Sequence, residues 1–225
     1  MKKLPDHTYA FQPIVNPVEK SIFSYEALRR KRVADHPESR HYEDIPQQAL
    51  SLASKLGVNT YLNINISPSS LNGSKKFVEK ALELATDHKI TAQKLVIEIT
   101  ETEAVQDNER FKYLVDDFRA SGVKIAIDDF GAGYSGLNLL ANFQPDMVKL
   151  DMGLVREIQS HGPKQSIVRA IHQVCFELGI DLIAEGVETL DEYHWLRDAE
   201  IDLYQGYLFA KPALEALPEI YYPEE

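Results

Sequence analysis

The chain predicts an α/β fold, a closed (β/α)8 barrel with one antiparallel strand near the N-terminus. Three observations carry that expectation. Short β-type runs alternate with longer amphipathic stretches, which is the order of a parallel sheet covered by helices. The β-type runs number eight, the strand count of a TIM-like barrel. Six of them end in, or carry at alternate positions, a group that binds hard metals or phosphates: Glu26, Asn65, Glu98, Asp128 with Asp129, Lys149 and Glu185.

Taken in order, the first two runs cover 11–15 and 21–28. They stand too close for a helical crossover, so at least one of the pair is expected to run antiparallel. The remaining runs cover 60–67, 94–100, 124–128, 147–151, 181–184 and 203–210, and helices are expected over 45–56, 74–88, 107–121, 135–141, 164–178 and 190–199. Gly57, Gly122 and Gly179 fall where helix stop signals belong. With no Pro/Gly/Ser-rich linker or low-complexity stretch, residues 1–225 read as a single domain.

Side-chain parity supports a barrel with a polar lining. Leu62, Ile64 and Ile66 share one face of their strand, and Asn63, Asn65 and Ser67 the other; Leu95, Ile97 and Ile99 oppose Val96, Glu98 and Thr100. Val148 and Leu150 likewise oppose Met147, Lys149 and Asp151. The aliphatic faces would meet the helices and the polar faces would point inward, with active-site groups at the carboxyl ends of the strands.

Composition narrows the function. Lys and Arg total 24 against 35 Asp and Glu, a formal charge of −11, which argues against gripping a nucleic-acid duplex through a broad basic surface. The lone Cys175 has no internal disulfide partner, and core packing is its expected role in a reducing compartment. The N-terminal stretch carries Pro5, Asp6 and His7 where a secretion signal needs an apolar core. The apolar runs are interrupted well short of the ~20 residues of a membrane helix. A cytoplasmic protein without membrane insertion is expected, so the acceptor pattern Asn72-Gly73-Ser74 is discounted. His36 and His41 are read as solvated loop residues.

At one mouth of such a barrel Glu26, Glu98, Asp128, Asp129 and Glu185 would gather, with Asn65, Lys149 and Gln205 beside them. Desolvating so many carboxylates together is costly. Protonation is one escape and divalent cations are the more effective one; an all-oxygen donor set selects Mg²⁺ or Mn²⁺ over zinc. Asp128 beside Asp129 suggests two ions, the apparatus of in-line attack on a phosphodiester, with Lys149 orienting the nucleophile or offsetting phosphoryl charge. Taken singly, Glu26 or Glu98 would more often be a solvated strand end or an ion-pair partner; their shared inward parity favours a site.

Two other motifs compete. Asp129-Phe130-Gly131 spells the kinase metal motif, without the Gly-rich and catalytic loops a kinase requires. Gly131-Ala132-Gly133-Tyr134-Ser135-Gly136 fits a dinucleotide fingerprint, but it leaves Glu26, Glu98 and Glu185 unexplained, and Asp128 and Asp129 would repel a pyrophosphate.

Seven motifs lie in order along the chain: Tyr25-Glu26-Ala27-Leu28-Arg29-Arg30, Asn63-Ile64-Asn65-Ile66-Ser67-Pro68, Glu98-Ile99-Thr100-Glu101, Asp128-Asp129-Phe130-Gly131, Lys149-Leu150-Asp151, Glu185-Gly186-Val187-Glu188-Thr189 and Gln205-Gly206-Tyr207. Together they resemble the EAL domain, the bacterial phosphodiesterases of cyclic di-GMP. The resemblance implies hydrolysis of cyclic di-GMP to linear pGpG with two Mg²⁺ or Mn²⁺ ions. By this resemblance Glu26, Asn65, Glu98 and Asp128 would hold the first ion, and Asp128, Asp129 and Glu185 the second. Lys149, Glu185 and Gln205 resemble catalytic residues, and Gln12, Leu28 and Arg30 substrate contacts. Glu101, Asp151 and Glu188 resemble supporting residues, with Glu101 anchoring the loop after Asp129. A homodimer through region 131–140 is implied as well. The chain departs from the family between Lys31 and Gln47, where the segment is short, charged and rich in histidine; no attached sensory domain is expected, so this copy would act alone or answer to a partner. A binding module that keeps the pocket without turnover is the alternative of another class.

Overall fold

A computed structural model describes residues 7–31, 47–66, 75–106, 108–133 and 136–224. Its strands β1 (His7–Asn16) and β2 (Ser21–Lys31) form an antiparallel hairpin. From β2 onward the sheet runs parallel through β3 (Tyr61–Asn65), β4 (Leu95–Thr100), β5 (Lys124–Phe130), β6 (Met147–Leu150), β7 (Asp181–Ala184) and β8 (Leu203–Tyr204). β1 pairs antiparallel with both β2 and β8, so it closes the barrel as its one reversed stave. The expected eight-stranded α/β barrel is therefore the observed one. The four-residue connection between β1 and β2 leaves no room for a crossover, and this forces the reversal.

The helices are α1 (Gln47–Lys55), α2 (Lys75–Asp87), α3 (Glu101–Gln106), α4 (Asn108–Ala120), α5 (Gly136–Phe143), α6 (Met152–Val155), α7 (Gly162–Leu178) and α8 (Leu190–Asp198). α7 ends at Gly179, whose φ of 68° lets it cap the helix by donating to the Cys175 and Phe176 carbonyls. Gly57 and Gly122 also have positive φ just past α1 and α4.

Strand parity divides the core in two. Leu62, Ile64, Leu95, Ile97, Ile99, Val148 and Leu150 face outward and pack among helix residues such as Leu50, Val115, Phe118 and Val168. Each such burial contributes ~1.5–3 kcal/mol. Inside the barrel Ile14, Val96, Ala126, Met147 and Ile183 form a separate apolar cluster. On β4, β5 and β6 the next inward residue beyond this plug, two positions on, is Glu98, Asp128 or Lys149, so the plug walls the polar mouth off from the far end of the barrel.

Several features were not expected from the sequence. β8 pairs only at residues 203–204 instead of extending to 210, because the chain turns at Gly206, where a Cβ would stand 2.0 Å from the Val187 carbonyl oxygen. A further short strand, β9 (Ala213–Leu214), pairs with β1. α3 starts directly at the end of β4, and α6 follows β6 with Asp151 as its cap. His36, His41, Ser67, the Asn72-Gly73-Ser74 pattern and nearly all of the 31–47 segment lie outside the described residues. Among the described residues no helix is long and apolar enough to cross a membrane.

Candidate active site

Neighbouring strands bring the inward residues to one rim. Parallel register places Asn63 beside Glu26 and Glu98 beside Asn65. β5 contributes Asp128 and Asp129, β6 contributes Lys149, and Glu185 and Gln205 lie one residue beyond β7 and β8. Because β1 is reversed, Gln12 comes opposite Glu26. The rim opens into a cavity of about 280 Å³ lined by Gln12, Glu26, Leu28, Asp128, Lys149 and Gln205 among others.

Lys149 stands at the centre. Its buried ammonium lies 2.7 Å from Glu185 Oε1, 2.9 Å from Asp128 Oδ1, 3.0 Å from Glu98 Oε1 and 3.3 Å from Glu26 Oε2. Amides supply the other donors. Asn65 Nδ2 donates to Glu26 Oε1 at 2.8 Å, Gln205 Nε2 to Glu26 Oε2 at 2.8 Å, and Asn63 Nδ2 to Glu98 Oε1 at 2.8 Å. Glu98 Oε2 is buried and has no hydrogen-bond partner among the described residues.

The electrostatics follow from burial and crowding. Burial alone would push the Glu26 carboxyl up, but Lys149 with the Gln205 and Asn65 amides holds it below the usual carboxylate range. Glu98 is pushed well above that range by burial and by the charge of Glu26, against Lys149. Burial, with Asp128 and Glu26, raises Glu185 to about 8 despite Lys149. Asp129 is raised by burial and by Asp128 and Asp151. Burial works against the Lys149 ammonium, yet Glu185, Glu26, Glu98 and Asp128 together keep its pKa well above the usual lysine value.

This donor set fits divalent cations. Oxygens of Glu26, Glu98 and Asp128 lie within 4.8 Å of one another, as do those of Asp128, Asp129 and Glu185, so Asp128 belongs to both groups. One ammonium cannot neutralise five carboxylates, and the partnerless oxygen of Glu98 is a ready ligand. Oxygen donors of this kind suit hard cations.

Local backbone features aim these groups. The β5–β6 register breaks between Ile127 and Phe130, freeing Asp128 and Asp129 from pairing with β6, while Asp128 stays in register with Thr100 on β4. Asp129 takes φ 54°, a left-handed conformation that Asp tolerates better than most residues. Glu101 Oε2 accepts from the backbone N–H groups of Gly131 (2.9 Å) and Gly133 (3.3 Å), tying the following loop to α3. The N–H groups a pyrophosphate would need in a dinucleotide fold are thus occupied by a carboxylate. Gly186, at φ 67°, lies where a Cβ would come 2.7 Å from Met152 Cβ, so the loops after β6 and β7 sit directly on each other.

The structure brings Glu26, Asn65, Glu98, Asp128, Asp129, Lys149, Glu185 and Gln205 together, with Gln12 and Leu28 on the cavity wall. Arg30 and Asp151 lie apart, and Glu188 stands at the cavity edge. Arg30 is exposed, does not line the cavity, and donates to the Arg29 carbonyl. Asp151 caps α6, accepting from the Gly153 N–H at 2.8 Å. Glu188 lines the cavity and pairs with Arg156 Nη2 at 2.7 Å. Sequence reasoning missed three contributors: Asn63, Tyr207 on the cavity wall, and Glu192, whose carboxylate accepts from the N–H groups of Glu157, Glu188 and Thr189. Asn63 was discoverable from its inward parity, and Glu192 from the capping-box spacing Thr189-x-x-Glu192.

A closed α/β barrel whose strand ends converge on carboxylates in two overlapping groups defines the class: an α/β barrel with a candidate cation site on its C-terminal rim. The chain belongs to the EAL domain family, whose model matches residues 5–212. A curated relative in Escherichia coli K12, the blue light- and temperature-regulated antirepressor BluF, is 34% identical over 98% of this chain and 57% of its own length. The cyclic di-GMP phosphodiesterase PdeR of the same organism is 34% identical over 75% of this chain and 25% of its own length. The chain therefore spans between a quarter and three fifths of these relatives. A solved structure of Klebsiella pneumoniae BlrP1, described as a calcium and cyclic di-GMP complex, superposes with a TM-score of 0.90 at 38% identity, covering 98% of this chain and 60% of that one.

Proposed function

We propose that this chain is a metal-dependent phosphodiesterase, a single EAL-type barrel domain that hydrolyses cyclic di-GMP to linear pGpG. The observation that carries the reading is Asp128, which lines the cavity and belongs to both carboxylate groups. Glu26, Asn65, Glu98 and Asp128 would hold one Mg²⁺ or Mn²⁺, and Asp128, Asp129 and Glu185 a second. When bound, such a pair supplies activation of the attacking water and charge neutralisation on the phosphodiester. The chain's own residues do the rest. Lys149 keeps its proton and offsets charge on phosphoryl oxygens. Gln205 and Asn65 orient Glu26, and Glu101 fixes the loop that carries Asp129. Gln12 and Leu28 offer a polar and an apolar wall for substrate. The names of PdeR and BlrP1's bound ligands support the substrate, and the buried, unpaired Cys175 suits a reducing cytoplasm.

A silent receptor is the second reading, favoured by the antirepressor BluF among the relatives. The full set of carboxylates speaks for turnover. Purified protein incubated with cyclic di-GMP and Mg²⁺ or Mn²⁺ is expected to release pGpG, followed by chromatography; binding without product would establish the receptor. Glu26→Ala and Asp128→Ala should each abolish turnover with an intact circular dichroism spectrum, and wild-type rates in either would remove the proposed centre. We also propose a homodimer through region 131–140, supported by Leu137 on α5, a large apolar side chain left 64% exposed. A fully active protein that sediments as a monomer at high concentration contradicts it.

A further inference from the structure

We propose that Asn63 is a positioning residue of the metal centre, which fixes one oxygen of Glu98 and thereby presents the other to a divalent cation. The inference rests on the metal reading above and adds a residue that lies beyond the ligand set.

Geometry carries it. Glu98 Oε1 receives Asn63 Nδ2 at 2.8 Å and Lys149 Nζ at 3.0 Å, while Oε2 has no partner among the described residues. A terminal carboxylate turns easily about its last torsion, so something must choose which oxygen faces the ligand group. Lys149 is poorly suited to choose. It is a rotatable ammonium on a flexible stem, shared with Glu26, Asp128 and Glu185. Asn63 has a short side chain on β3 and is fully buried. Its register partner on β4 is Val96, two residues before Glu98, so its amide approaches the carboxylate from the plug side of the barrel, and the unpartnered Oε2 belongs to a carboxylate grouped with Glu26 and Asp128. Its amide orientation follows from chemistry, because a carbonyl at that distance would oppose a carboxylate oxygen.

Asn63 is also a poor choice for stability alone. Its Oδ1 is buried without a hydrogen-bond partner among the described residues, an arrangement an apolar side chain would avoid. A group that carries such a penalty while donating to a candidate ligand has the character of a metal ligand's orienting partner, whose loss typically weakens metal affinity by ~10–100-fold.

The test titrates Mn²⁺ alone, by calorimetry, into chelator-stripped wild type, Asn63→Ala and Asn63→Val, and melts the same stripped samples. Both substitutions remove the donor, and the bulkier valine keeps the test available if the alanine variant loses its fold. The expected result is a Mn²⁺ dissociation constant raised by roughly 10-fold or more, with a melting temperature unchanged or higher. A lowered melting temperature with an unchanged dissociation constant assigns Asn63 a structural role and overturns the proposal, leaving the metal centre intact. Wild-type protein that binds no Mn²⁺ overturns the metal centre and this proposal together.

Discussion

Lys149 illustrates how much a single side chain settles at this rim. Four carboxylates contact its ammonium, and none of them has another described cation within ion-pair distance. Removing one partner of a buried ion pair is destabilising by ~3–5 kcal/mol, because the charges left behind stay buried. Lys149→Met, which keeps most of the stem, is therefore expected to lower the melting temperature by roughly 10 °C and to abolish turnover. A dichroism melt of stripped protein at neutral pH checks it; an unchanged melting temperature would mean that the carboxylates carry little charge. At this scale the sequence was informative where parity decides. Glu98 and Lys149 alternate with outward aliphatics, and that alone places them inside. It was uninformative about hydrogen-bond direction. Nothing in the order of residues tells that Asn63 donates to Glu98, which depends on the distance between side chains in the finished barrel, or that Arg30 turns back to the neighbouring Arg29 carbonyl.

The loops after β6 and β7 act as one element through Glu192. Its Oε2 accepts from the N–H groups of Glu188 (2.9 Å) and Thr189 (3.0 Å), and its Oε1 from Glu157 (3.0 Å), so the carboxylate caps α8 and joins the two loops behind Glu185. Glutamine has one acceptor oxygen to offer these donors, and Glu192→Gln should cost about 2 kcal/mol at neutral pH, or roughly 4–8 °C. The sign of the pH dependence follows. Burial pushes Glu192 up, but the backbone donors of Glu188, Glu157 and Thr189 hold its folded pKa below the ordinary value. The stabilisation is complete above the unfolded pKa of ~4.3 and disappears as pH falls through the lower folded value. Melting curves from pH 7 to pH 3 should therefore show wild type and variant converging in acid, and a gap independent of pH would sink the assignment. Elements with strong periodicity were legible in sequence, as α7 and β4 are. α3, α6 and the shortened β8 were not, because they are set by contacts such as Gly206 against Val187, which no local pattern encodes.

The whole molecule separates stability from function along the barrel axis. Outward aliphatics and the interior plug of Ile14, Val96, Ala126, Met147 and Ile183 hold the sheet closed, while the rim gathers like charges that work against folding. Any cation that binds the folded rim and not the unfolded chain must therefore stabilise the entire barrel. At a free concentration of 100 times its dissociation constant the gain is about 2.7 kcal/mol, which for a chain of this length corresponds to roughly 5–11 °C in melting temperature. Mn²⁺ added to stripped wild type is expected to produce that shift, and a chelator to reverse it. Asp128→Ala should lose most of it, because Asp128 takes part in both carboxylate groups. A shift of equal size in that variant would place the cation elsewhere, since a rim that binds through Asp128 cannot be indifferent to losing it.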